Sequence, residues 1–120
     1  MKIIKLPKIV VAVLDKDTRI TKTHEVLDIM ASLRYNEDND NVGMIIYKES
    51  LGGKFFDLKT RFAGDILQKF SNYNMSLVIV GDFSEYKSTS LKDFIRECNR
   101  GNQIFFLPTL EAGLEKYSTL

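Results

Sequence analysis

At 120 residues the chain is long enough for one domain to bury a core unaided and too short for two. Hydrophobic residues make up 44% and charged residues 28%, the balance of a packed globular protein and not of a disordered or fibrous one. A net charge of +1 supplies no basic field for phosphates, which argues against nucleic acid as a partner, and the lone Cys98 excludes an internal disulfide.

The chain opens with Lys2, Lys5 and Lys8 ahead of an apolar run ending at Leu14. That run is too short for a secretory h-region, and Asp15 follows where small residues would be needed. No other stretch approaches a membrane span, so the expected location is the cytoplasm, with no membrane partner. Ile3 to Leu6 and Ile9 to Leu14, punctuated by Pro7 and Lys8, predict two antiparallel strands joined by a tight turn.

After the polar loop Asp15 to Asp17, the spacing of Val26, Leu27, Met30 and Leu33 predicts a first helix ending near Tyr35, with Thr21 or Thr23 as N-cap. A polar loop over Asn36 to Asn41 precedes a strand over Val42 to Tyr47. Gly52 and Gly53 then break the chain before a second helix, which Asp57 caps and whose apolar stripe is Phe62, Ala63, Ile66, Leu67 and Phe70. Met75 to Val80 reads as a strand stopped by Gly81 and Asp82. Ser88 or Ser90 starts a third helix through Asn99, with Asp93 completing a capping box and Gly101 as the left-handed C-terminal residue. Leu91, Phe94, Ile95 and Cys98 share its apolar side, so Cys98 is expected in the core. Ile104 to Leu107 is the last strand, and Pro108 and Thr109 open a terminal helix through about Lys116.

The predicted order is ββαβαβαβα, an α/β fold with a mostly parallel sheet and an antiparallel N-terminal strand, in one domain over 1–120. The strands are apolar at nearly every position, so both sheet faces need cover. Four helices are barely enough, and if they gather on one face a second chain is expected on the other. That reasoning predicts a homo-oligomer or an obligate protein partner.

Motifs for chemistry are sparse. One histidine, His24, and Cys98 fall on different helices, so no metal site is expected; Asp15 with Asp17, and Asp38 with Asp40, lack the ligand pattern of a Ca²⁺ loop. No serine sits in a nucleophile elbow, and Gly52, Gly53 and Lys54 lack the spacing of a phosphate loop. No cofactor is expected. In a parallel α/β sheet the loops after the carboxyl ends of the strands form the usual functional rim, and here that rim gathers Lys48, Glu49, Asp57, Thr60, Asp82 and Ser84. Local capping and turn closure are competing roles for Asp57, Asp82 and Ser84.

Phe55 to Phe83, FFDLKTRFAGDILQKFSNYNMSLVIVGDF, and Ser90 to Phe106, SLKDFIRECNRGNQIFF, strongly resemble the bacterial domain-of-unknown-function family 4180, over most of the chain. That resemblance implies little chemistry. A more distant similarity is to STAS domains of the anti-sigma factor antagonist type, in which a helix opens with D-S-[ST]-G and a hydroxyl is phosphorylated by a partner kinase. The comparable stretch is Asp57 to Phe62, where Leu58 and Lys59 replace the Ser pair and Arg61 stands where a Gly would be. The similarity implies Thr60 as the phosphorylatable position, and a partner-binding or switch surface of Asp57, Thr60, Arg61, Asp82 and Ser84.

The reading is therefore a non-enzymatic STAS-like regulatory module whose partner surface runs from Asp57 to Gly64 and from Asp82 to Tyr86. The alternative is a carrier of a small apolar or lipid ligand, in a pocket lined by Phe55, Phe56, Phe62, Phe83 and Phe94. An enzyme using Asp57 or Asp82 as acid or base rests on rim position alone.

Overall fold

The computed structural model describes residues 1–36 and 41–120. Asp38 and Asp40, weighed above as cation ligands, lie outside the described residues, as does the middle of the loop before the third strand. The chain forms β1 (Lys2–Lys5), β2 (Val10–Val13), α1 (Thr23–Asn36), β3 (Val42–Tyr47), α2 (Lys48–Phe56), a short 3-10 turn (Leu58–Thr60), α3 (Phe62–Asn72), β4 (Ser76–Val80), α4 (Thr89–Arg100), β5 (Ile104–Leu107) and α5 (Leu110–Thr119).

One five-stranded sheet runs in the order β1-β2-β3-β4-β5, with β1 antiparallel to β2 and the others parallel. The hairpin closes through Leu6 N–H donating to the Ile9 carbonyl at 2.9 Å, where Pro7 and Lys8 force the turn. Because parallel crossovers share one hand, an order that advances one place at every step puts the crossover helices on a single face. Ala12, Met44, Ile46, Leu77, Ile79 and Phe106 point to that side and are buried with Val26 and Met30 of α1, Leu51 of α2, Ile66 and Phe70 of α3 and Leu91 of α4. Val11, Ile45, Val78 and Phe105 point to the other face, which α5 covers with Tyr117.

Val11, Ile45 and Val78 are fully buried within the single chain. An uncovered face therefore no longer argues for a second copy, and any partner must be sought on other surfaces.

Five local expectations need correction. Residues 48–56 hold two short helical stretches that the glycine signal did not predict, on either side of the expected break, which falls at Gly52: its φ 70° and ψ 179° are not helical and are open to glycine because it has no Cβ. Asp57 caps the 3-10 turn, its carboxylate accepting from Lys59 N–H at 3.2 Å, while α3 starts only after Arg61. Asp93 closes no capping box; Ser88 caps α4 by accepting from Leu91 N–H at 3.2 Å, and Asp93 pairs with Arg96 at 2.8 Å. Gly101 ends α4 in an extended conformation, φ −83°, and not a left-handed one. Cys98 is half-buried at the margin of the core, where burial and the neighbouring Glu97 push its thiol above the usual value.

Candidate functional site

The loops that follow β3, β4 and β5 meet the start of α5 around a cleft of about 650 Å³. This is the carboxyl-end side of the sheet, where strand ends and helix starts leave room between diverging chains. Lys48, the first residue of α2, crosses the end of β4 beside Gly81. A Cβ at Gly81 would stand 2.6 Å from that of Lys48, so the lysine stem needs glycine there. Its ammonium donates to the Asp82 carbonyl at 2.8 Å, pairs with the Glu85 carboxylate and lies 4.7 Å over the Tyr86 ring. Burial raises the Tyr86 phenol above its ordinary value, and the Glu49 charge adds to this.

Asp82 accepts from the Ser84 hydroxyl at 2.6 Å and from the Ser84 N–H at 2.9 Å. Those bonds, the hydroxyl first, hold its carboxyl below the usual range, with Lys48 contributing. On the β3 side Lys16 pairs with Glu49 at 3.6 Å and lies 5.6 Å from the Tyr47 ring centre. Across the cleft Thr109 caps α5, its hydroxyl accepting from Ala112 N–H at 3.0 Å. Lys16 and Lys48 are thus already matched by carboxylates of this chain, and Glu111 adds a further negative charge to the cleft wall.

The turn that carries Asp57, Thr60 and Arg61 lies between α2 and α3. The Thr60 hydroxyl is placed to donate to the carbonyls of Lys54, at 2.7 Å, and Asp57, at 2.8 Å, and it accepts from Phe62 N–H at 3.2 Å. Thr60 therefore precedes α3 and does not sit within its first turn. Arg61 takes the left-handed conformation, φ 65° and ψ 6°, at the position where the STAS pattern has Gly. Its side chain is exposed.

The structure brings together only part of the site expected from sequence. Lys48, Glu49 and Asp82 line the cleft, and Ser84 is held by Asp82. Asp57, Thr60 and Arg61 do not line it. The two segments are joined instead by rings: Phe56 stacks on Tyr86 at 5.0 Å and meets Phe83 at 5.9 Å. Sequence reasoning missed Lys16, Tyr47, Thr109 and Glu111, and held Glu85 only as part of the 82–86 loop. Extending the carboxyl-end rule from the β3 and β4 loops to those after β2 and β5 finds Lys16 and Thr109.

The phenylalanines expected to line an acyl pocket touch other rings. Phe55 meets Phe62 at 6.4 Å, Phe83 meets Phe106 at 5.3 Å and Phe94 meets Phe106 at 6.2 Å. Edge-on packing of this kind is how aromatic cores fill their own volume.

No curated protein and no solved structure matches the chain. The family model for a domain of unknown function, DUF4180, matches residues 6–117, from the β-hairpin turn to α5, and the chain belongs to that family.

Proposed function

We propose that this protein is a non-catalytic, STAS-like regulatory module of the cytoplasm, which works without a cofactor by binding a partner protein through one surface running from the 57–61 turn to the 82–86 loop. The observation that carries this reading is the contact of Phe56 with Phe83 and Tyr86, which ties two separate loops into one continuous patch. The sequential sheet with its antiparallel first strand is compatible with a STAS-like fold. Among the described residues no helix is long and apolar enough to cross a membrane.

Thr60 is exposed, yet its hydroxyl hydrogen serves the two carbonyls that close the turn. A phosphate ester at that oxygen has no hydrogen to give and sets negative charge against both carbonyls. Modification would therefore open the junction of α2 and α3 and reshape the patch, a local charge event with a wider readout.

The test is capture of partners by the tagged protein from its own host, beside Arg61→Glu and Thr60→Glu. Among the described residues the Arg61 side chain makes no hydrogen bond or ion pair that its loss would break, so a partner lost by Arg61→Glu at unchanged melting temperature supports the surface. Thr60→Glu also removes the bonds of the turn and should cost about 1 kcal/mol of stability. A partner kept in full by both variants overturns the assignment.

A further inference from the structure

The sheet has two edges, and their exposed backbones differ. On β5, the Gln103 and Leu107 carbonyls accept from Leu77 and Gly81 N–H at 2.9 and 3.0 Å, so Ile104 and Phe106 turn their backbone groups outward. The side-chain amide of Asn99, on α4, occupies Phe106: its oxygen accepts from Phe106 N–H at 2.7 Å and its nitrogen donates to the Phe106 carbonyl at 3.2 Å. The next outward position is Pro108, which has no N–H to offer. Among the described residues of this edge, an arriving strand would find only Ile104 free to pair.

On β1 the bond from Leu6 N–H to Ile9 fixes the alternation of the antiparallel ladder. Lys2 and Ile4 bond to β2, and Ile3 and Lys5 point their N–H and C=O groups away from the sheet. The side chains along this edge are basic. Lys2, Lys5 and Lys8 are all exposed, and none takes part in the ion pairs of the described residues.

We propose that β1 is a docking edge for an extended acidic segment of a partner protein, which adds to the sheet as a further strand. Charge chooses the occupant. Two copies of this chain pairing antiparallel through the outward groups of Lys5 would set Lys5 of one copy opposite Lys5 of the other and bring their other exposed lysines to the same seam, and like charges directly opposite are unfavourable. A strand with Asp or Glu opposite Lys2 and Lys5 replaces that repulsion with attraction, and the outward groups of Ile3 and Lys5 supply the main-chain bonds. The edge shares no residue with the 57–61 and 82–86 patch, so the inference stands apart from the reading above.

The experiment is a titration of the isotope-labelled full chain with a short capped valine-rich peptide carrying two glutamates three residues apart, the spacing of Lys2 and Lys5 on opposite faces of the strand, followed by amide NMR. Expected are shifts confined to β1 and its hairpin, slowed hydrogen exchange at Ile3 and Lys5, and no response to the lysine and valine counterpart. Lys2→Glu with Lys5→Glu should weaken binding by at least about tenfold. Lys5→Pro, which removes an outward N–H and spares the ladder to Val11, should abolish binding in a chain whose remaining spectrum is unchanged. No binding at millimolar peptide, shifts at the carboxyl-end cleft instead, or equal binding of the acidic and basic peptides would each overturn the proposal; in the first case the lysines only repel other edges.

Discussion

Tyr117 shows what a single side chain can settle. It is 2% exposed, and its hydroxyl accepts from Met44 N–H at 3.1 Å and donates to the Met44 carbonyl at 3.0 Å. A Cβ at Gly43 would stand 2.5 Å from the ring, so the phenol lies on bare backbone. Burial pushes its ionisation far above the ordinary value and keeps it a neutral donor. Tyr117→Phe keeps the ring and removes the hydroxyl from two buried backbone groups, which should cost about 1–3 kcal/mol in urea unfolding. An unchanged midpoint would mean that those groups find other partners. None of this is readable from sequence, because Tyr117 and Met44 are 73 positions apart. Thr60 and Arg61 were expected in the first turn of a helix capped by Asp57, whereas they lie in the turn ahead of α3, and the hydroxyl bonds of Thr60 depend on the carbonyl of Lys54, which only the folded turn presents.

At the scale of elements, apolar periodicity located every strand and the helices α1, α3, α4 and α5. It failed over residues 48–56, where Gly52 and Gly53 read as a breaker and two short helical stretches merge across the kink at Gly52. Tertiary packing explains the difference, since Leu51, Phe55 and Phe56 are buried and hold the segment against the sheet and α3. The α4 to β5 connection carries a testable device. Asn99→Ala leaves Phe106 without both of its edge partners, so stability should fall by about 1–3 kcal/mol and concentration-dependent association through β5 should appear. Sedimentation velocity over a concentration series checks it. A variant as stable and as monomeric as the parent would show that Asn99 does not guard the edge.

For the whole molecule the decisive feature is the sequential strand order, which sends every crossover helix to one face and leaves α5 alone on the other. Leu110 and Leu114 are half-buried where α5 meets that face. Leu110→Glu with Leu114→Glu should loosen α5, uncover Val11, Ile45 and Val78, raise binding of a hydrophobic dye and drive self-association. A monomer with unchanged dye binding would show that the face is held by other contacts. The division between what the chain spells out and what folding adds follows from range. Composition and the two hydrophobic periods are local, so they suffice for an α/β class, the antiparallel start, the parallel pairing of the later strands and a carboxyl-end rim at Lys48, Glu49 and Asp82. Strand order, the side taken by α5, the separation of Thr60 from the cleft and the contrast between the two sheet edges depend on which distant segments share the core. Those emerge on folding, because long-range burial, and no local preference, selects among arrangements that the same local pattern permits.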